Sequence, residues 1–191
     1  MALVKVDLVM LGCMKNNFNL ATLFYDVART NNTNAAIRYV DEIVSYDDLN
    51  ILSNKIAHFF RSLDIKPYDV VGIFNTKGIA GYASMLACLK LGVTYTNIDE
   101  ENPSSRIESI LNCCNPKLLV SDHEPSENVQ IAAKNKELKL LDLSCDDVFV
   151  NLSGEDLEVS NNIIGSTPAY IMFTSGSTGI PKGVTISHDN L

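Results

Sequence analysis

Residues 70–99, VVGIFNTKGIAGYASMLACLKLGVTYTNID, set the architecture of this 191-residue chain. The apolar run Val70 to Asn75 is typical of a strand that is covered on both faces. Ile79 to Leu91 is apolar nearly all round, with small residues that allow close approach to a sheet, and Gly92 follows as a C-terminal cap. Thr94 to Ile98 then resembles a second strand. The pattern predicts a strand, a buried helix and a parallel strand.

The same alternation continues toward the C-terminus. Apolar runs with strand composition alternate with segments of helical period, which is the pattern of a βαβ chain. We therefore predict an α/β fold, a parallel sheet flanked by helices. Its further elements are the helix Ser104 to Cys113, the strand Lys117 to Ser121, the helix Glu127 to Lys136, the strand Leu138 to Leu143 and the strand Ala169 to Thr174.

Two helices and a hairpin precede this stretch. Asn19 can cap a helix through Arg29, and Ser45 followed by acidic residues can cap a helix through Leu63. Ala35 to Val40 and Ile43 to Ser45 flank a polar turn and predict a hairpin. Residues 146–167 are rich in Asn, Ser, Gly and acidic residues, so we expect a surface linker with a possible short strand at Val148 to Leu152.

The first 18 residues stand apart as an N-terminal extension. Val4, Val6 and Leu8 alternate with Lys5 and Asp7, which is the period of a half-buried strand. There is no basic leading region and no small-residue cleavage pattern, so we predict no signal peptide.

Composition excludes several classes of partner. The net charge is -8 and the fifteen Lys and Arg residues are scattered, so no basic stripe is available for nucleic acid. No stretch approaches the ~20 apolar residues needed to cross a bilayer. Five cysteines form no C-x-x-C pair and lie at no metal-ligand spacing with histidine, which favours reduced thiols, no metal site and a cytoplasmic protein.

A glycine-rich loop carries the chemistry: Ala169-Tyr-Ile-Met-Phe-Thr-Ser-Gly-Ser-Thr-Gly-Ile-Pro-Lys-Gly-Val184. Small residues let the backbone turn and approach a ligand, and hydroxyl groups lie beside exposed N–H groups. Lys182 adds a mobile positive charge. A flexible linker is the alternative, but Gly/Ser linkers do not usually join two apolar strands. The loop lacks the Walker A spacing. We therefore predict a site for phosphate oxygens.

Three motifs resemble those of the adenylate-forming enzymes, which include nonribosomal peptide synthetase adenylation domains, acyl-CoA synthetases, D-alanine-carrier-protein ligases and luciferase. Residues 173–184 resemble the signature Y-T-S-G-S/T-T-G-x-P-K-G-V, with Phe173 in place of Tyr. Val44 to Leu49 resembles L-T/S-Y-x-E-L. Leu89 to Asp99 resembles L-K-A-G-x-A-Y-V-P-I-D of the amino-acid-activating branch, and it differs at Leu91, Thr94, Thr96 and Asn97.

This resemblance implies the first part of the large N-terminal domain of an acyl-CoA synthetase-like fold. It spans about residues 19 to 191, after the extension over 1–18, and implies a truncation after the loop. It implies a parent ligase in which ATP, with Mg²⁺, and a carboxylic acid, here an amino acid, give an acyl adenylate and pyrophosphate. The acyl group would then pass to a carrier-protein phosphopantetheine thiol or to CoA.

The resemblance also assigns the loop residues. Lys182 would hold the leaving pyrophosphate, which is a charge-stabilising role. The residues that would wrap the β- and γ-phosphates are Thr174, Ser175, Gly176, Ser177, Thr178 and Gly179. The family places its adenine contacts, acyl pocket, magnesium-binding Glu and adenylation-promoting lysine downstream of this loop. We therefore expect no ATP–pyrophosphate exchange from residues 1–191 alone.

Several alternatives stay open at this point. Within the family, the parent could be an acyl-CoA synthetase or a D-alanine-carrier-protein ligase. Outside it, the chain could be a non-catalytic truncated protein that acts only by association. A kinase ranks last, because neither H-R-D nor D-F-G is present.

The histidines and one acidic turn complete the list of candidates. His188 could line the acyl or phosphate side of the site, or cap a following helix. His58 and His123 are predicted to face solvent. Residues 99–101, Asp-Glu-Glu, are expected to form a solvated turn and not a metal site.

Overall fold

The computed structural model describes residues 19–39, 42–144, 149, 151–158, 162–174 and 181–190. The predicted extension over residues 1–18 therefore lies outside the described residues. The helices are α1 (Leu20–Thr30), α2 (Tyr46–Ser62), α3 (Ile79–Leu91), α4 (Ser104–Cys114) and α5 (Glu127–Asn135). The strands are β1 (Ala35–Tyr39), β2 (Glu42–Ser45), β3 (Val70–Phe74), β4 (Thr94–Ile98), β5 (Leu118–Ser121), β6 (Leu140–Asp142), β7 (Pro168–Thr174) and β8 (Lys182–Ser187).

A six-stranded sheet organises the molecule, in the order β6-β5-β3-β4-β7-β8. All neighbours pair in parallel except β7 and β8, which are antiparallel. The β1–β2 hairpin forms a separate two-stranded sheet. The predicted α/β fold with a parallel sheet is thus confirmed, with one antiparallel strand at its edge.

Hydrophobic clusters cover both faces of the central strands. On one face, Val71 and Ile73 of β3 pack in a cluster with residues of α2 and α3. On the other face, Phe74 of β3 and Leu119 of β5 pack with residues of α4 and α5. Burial on both faces explains why β3 and β5 read as continuous apolar runs.

Local chemistry sets the ends of the helices. The Ser45 hydroxyl accepts from the Asp48 N–H at 3.0 Å, which is the N-cap predicted for α2. Gly92 ends α3 at φ 67°, in the left-handed region where glycine has no steric cost. None of the helices among the described residues is both long and apolar enough to span a bilayer.

The possible strand at Val148 to Leu152 was wrong in the part that the structure describes. The Leu152 N–H donates to the Phe149 carbonyl at 3.3 Å, so this segment turns instead of extending. Phe149 and Leu157 are buried in the cluster against α2 and α3. Asn54 Nδ2 also donates to the Gly154 carbonyl and to Asp156 Oδ1 at 2.9 Å each, so apolar side chains and hydrogen bonds together hold the described part of this segment against α2.

Candidate functional site

The glycine-rich loop joins β7 to β8 at the edge of the sheet where the parallel strands end. Thr174 is the last residue of β7, and it pairs in register with Lys182, the first residue of β8. Both residues are exposed. In open α/β sheets, ligands bind outside the carboxyl ends of the strands. Thr174 and Lys182 therefore lie where a ligand is expected.

The remaining predicted phosphate-binding residues lie outside the described residues. They are Ser175, Gly176, Ser177, Thr178 and Gly179. Their contacts with phosphate stay a prediction.

Two contacts position the base of the loop. Pro181 is buried, and its carbonyl accepts from the Cys113 thiol at the end of α4, with 3.6 Å between sulfur and oxygen. Gly183 pairs with Phe173, and a Cβ atom on Gly183 would lie 3.0 Å from the Phe173 ring. A side chain at this position would crowd the aromatic ring of β7.

A buried hydroxyl joins β7 to the central strands. Thr96, in the middle of β4, is fully buried, and its Oγ1 donates to the Ile171 carbonyl at 3.0 Å. Tyr95 and Tyr170 are paired in register, and their rings stack with centroids 5.6 Å apart. The sequence marked Thr96 only as a departure from the family motif. A hydroxyl at a position that alternation places inside the sheet was the signal that could have revealed this contact.

A second turn at the same edge has its backbone donors satisfied by the protein. The Asp122 carboxylate, which follows β5, accepts from the Thr76 N–H at 3.0 Å and from the Gly78 N–H at 2.9 Å. Its side chain is 0% exposed. Gly81 gives it room, because a Cβ atom there would lie 2.7 Å from Asp122 Oδ2. An internal carboxylate thus occupies the N-terminus of α3, where an anion is favoured.

His123 does not simply face solvent, as the sequence predicted. Its Nε2 lies 2.6 Å from Glu100 Oε2, and its Nδ1 lies 2.8 Å from Asp122 Oδ1. Burial alone would lower the pKa of His123, but the hydrogen bonds and charges of Glu100 and Asp122 outweigh it and raise that pKa above 6.5. Sequence distance concealed the contact with Glu100, which is 23 positions away and follows a different strand.

His188 contacts the N-terminus of α1. Its Nδ1 accepts from the Leu20 N–H at 3.1 Å, across 168 positions of sequence. The side chain is buried, and Nε2 has no hydrogen-bond partner among the described residues. Burial lowers the pKa of His188, and the charge of Asp189 opposes that shift. The ring is therefore neutral and has a structural contact.

A buried lysine in the motif Leu89 to Asp99 was also missed by the sequence analysis. Lys90 is 2% exposed, and its Nζ donates to Asn50 Oδ1, Ser53 Oγ and Asn54 Oδ1 at 2.7, 2.6 and 2.6 Å. Burial lowers its pKa to about 7, and the charge of Asp156 opposes the shift. This network joins α3 to α2 and lies apart from the carboxyl edge of the sheet.

No group of three or more His, Cys, Asp or Glu side chains in the described parts of the chain is arranged to hold a metal ion. The acidic turn over residues 99–101 accordingly lacks a ligand set, and Glu100 binds His123 instead.

Comparison with known proteins places the chain in a family. The model of the AMP-binding enzyme family matches residues 24–191. The hybrid PKS-NRPS synthetase TAS1 of Gloeophyllum trabeum is 37% identical over 149 residues, which are 78% of this chain and 9% of that protein. Bacitracin synthase 1 of Bacillus licheniformis is 32% identical over 170 residues, which are 88% of this chain and 3% of that protein.

Solved structures agree on the fold. The N-terminal subdomain of NpsA from Klebsiella oxytoca superimposes with a TM-score of 0.75 at 21% identity, covering 91% of this chain and 43% of that one. ATP-bound MatB from Rhodopseudomonas palustris superimposes with a TM-score of 0.78 at 22% identity, covering 92% of this chain and 36% of that one. The chain thus spans under half the length of the proteins it matches. It belongs to the AMP-binding, adenylate-forming enzyme family, and the resemblance to nonribosomal peptide synthetase adenylation domains is confirmed.

Proposed function

We propose that this chain is the nucleotide-phosphate-binding part of an ATP-dependent ligase that activates a carboxylic acid as an acyl adenylate. One observation carries the proposal: Thr174 and Lys182 pair at the carboxyl edge of the sheet, at the two ends of the glycine-rich loop. In this proposal, the hydroxyls and N–H groups of residues 174–179 bind the β- and γ-phosphates. Lys182 stabilises the charge that develops on pyrophosphate.

An amino acid is the acid that we propose. Relatives above 30% identity include nonribosomal peptide synthetase SIDC of Beauveria bassiana, at 32%, and nonribosomal peptide synthetase 2 of Gibberella zeae, at 35%. The acceptor would then be a carrier-protein phosphopantetheine thiol, with CoA as the acceptor in the alternative branch. Mg²⁺ would accompany ATP and lessen the charge of its phosphates, and we assign no residue of this chain to it.

The 191-residue chain should bind phosphate without completing the reaction. We expect no ATP–pyrophosphate exchange from the 191-residue chain with any amino acid. Robust exchange would show that residues 1–191 contain an acyl pocket, and it would overturn this part of the proposal.

Nucleotide titration monitored by NMR tests the phosphate site. ATP and pyrophosphate should both shift the amide signals of Thr174, Lys182 and Gly183, whereas adenosine should not. Lys182→Ala removes one charged contact, and this should weaken ATP binding about tenfold or more. Lys139→Ala is the matched control, because Lys139 is exposed just before β6, outside the glycine-rich loop.

Two results would contradict the assignment. One is an equal affinity of the wild type and Lys182→Ala for ATP. The other is a set of shifts that avoids both ends of the loop. Either result would favour the alternative of a non-catalytic protein that acts by association.

A further inference from the structure

Two carboxylates contact the two ring nitrogens of His123. Glu100 belongs to the turn between β4 and α4, and Asp122 directly follows β5. The nitrogen–oxygen distances are 2.6 Å to Glu100 and 2.8 Å to Asp122. A neutral imidazole has one N–H group, whereas the imidazolium has two. Only the protonated ring can donate to both carboxylates at once.

Asp122 extends this cluster to a third element. Besides His123, its Oδ1 accepts from the N–H and the hydroxyl of Thr76, and its Oδ2 accepts from the Gly78 N–H. Thr76 and Gly78 form the turn between β3 and α3. Ser121 Oγ also lies 3.2 Å from His123 Nδ1. The groups that face the imidazole are therefore Glu100, Asp122 and Ser121, and both charged ones are acidic.

We propose that His123 is a pH-dependent clamp, which in its protonated form holds the β4–α4 turn, through Glu100, to the β3–α3 turn, through Asp122. β4 lies between β3 and β7 in the sheet, so this clamp acts on the strand next to the one that carries the glycine-rich loop. The inference rests on the hydrogen bonds alone and does not depend on nucleotide binding.

When His123 loses its proton, the ring can no longer donate to both carboxylates. The exposed fractions of Asp122 and Glu100 show which of the two is released. Asp122 is 0% exposed and keeps its contacts with Thr76 and Gly78 whatever the state of the ring. Glu100 is 26% exposed and can turn toward water. The neutral ring therefore keeps its Nδ1–H bond to Asp122 and faces Glu100 with a lone pair. Glu100 leaves, and the β4–α4 turn is set free.

An NMR pH titration of the 191-residue chain, from about pH 5 to about pH 9, tests this clamp. The His123 ring should titrate with a midpoint above 6.5, its ordinary value. The amides of Glu101 and Asn102 should shift with that same midpoint, since they follow Glu100 in the turn. The amide signals of Thr76 and Gly78 should shift less, because both N–H groups stay hydrogen-bonded to Asp122.

Substitution of Glu100 tests whether its charge raises the midpoint of the His123 titration. Glu100→Gln removes the negative charge, so the midpoint of His123 should fall. Glu101→Gln is the matched control, because the neighbouring side chain is exposed and does not contact His123. A wild-type midpoint at or below 6.5 would overturn the proposal, as would a midpoint that Glu100→Gln leaves unchanged. If that variant does not fold, the wild-type titration decides: turn amides that do not follow the ring refute the clamp.

Discussion

The two halves of the main sheet are built differently. β3 and β5 lie between helices, and most of their side chains are buried on both faces. β7 and β8 form an antiparallel pair in which Met172 and Val184 lie opposite each other and are 54% and 51% exposed. The covered half holds the fold together, whereas the exposed half presents the candidate site. Stability and binding should therefore respond to different residues.

Truncating one side chain in each half should give the largest difference in unfolding free energy. Phe74→Ala removes a fully buried ring from β3, and we expect it to lower the free energy of unfolding by about 3–5 kcal/mol. Val184→Ala on β8 should change it by no more than about 0.5 kcal/mol, because half of that side chain is already in water. Urea unfolding of both variants measures the difference. Equal costs would contradict the division into covered and exposed halves.

Glycine-to-alanine substitutions compare the two halves of the sheet by adding a methyl group to each. Gly81→Ala places a methyl group against the Asn75 side chain and 2.7 Å from Asp122 Oδ2, and it should destabilise the chain by about 1–3 kcal/mol. Gly183→Ala, where the nearest atoms are 3.0 Å away on the exposed hairpin, should cost less. Thermal unfolding of the pair ranks the two. A larger cost at Gly183 would mean that the edge hairpin is the more tightly packed element.

Thr96 tests the contact between the halves. Thr96→Val removes the hydroxyl that donates to the Ile171 carbonyl, and we expect a loss of about 1 kcal/mol. Hydrogen exchange should increase in β7 more than in β3. Thr96→Ser keeps the hydroxyl and is the control for that exchange pattern. Unchanged exchange in β7 would show that the hydroxyl does not tie it to β4.

The smallest expected effect is the pH dependence that His123 gives to the covered half. Its pKa is raised in the folded chain, so its stabilising effect is complete below pH 6.5 and is lost as the pH rises through the folded value. The ring is 25% exposed, so solvent weakens the effect. The buried Lys90, whose pKa is lowered to about 7, adds a pH dependence of opposite sign to both proteins, so the difference in unfolding free energy between the wild type and His123→Asn is the quantity to measure. That difference should shrink as the pH rises, and a difference that grows in favour of the wild type would contradict the sign.

Local patterns predicted the elements closely wherever one periodicity dominated. The predicted helix Ile79 to Leu91 and strand Thr94 to Ile98 agree with α3 and β4 residue for residue. The ends of α5 and β6 were less accurate, because short amphipathic segments lack a sharp stop signal. At Val148 to Leu152, apolar residues predicted a strand, but burial of Phe149 against the helices produced a turn.

The amino-acid sequence by itself determined the family, the order of helices and strands, and the two described ends of the glycine-rich loop, since these depend on local period and on one contiguous motif. Tertiary structure decided which distant polar groups meet. Asp122 reaches Gly78 across 44 positions, His123 reaches Glu100 across 23, and His188 reaches Leu20 across 168. Strand order and register bring these atoms together, and both depend on how the whole core packs and not on any local pattern.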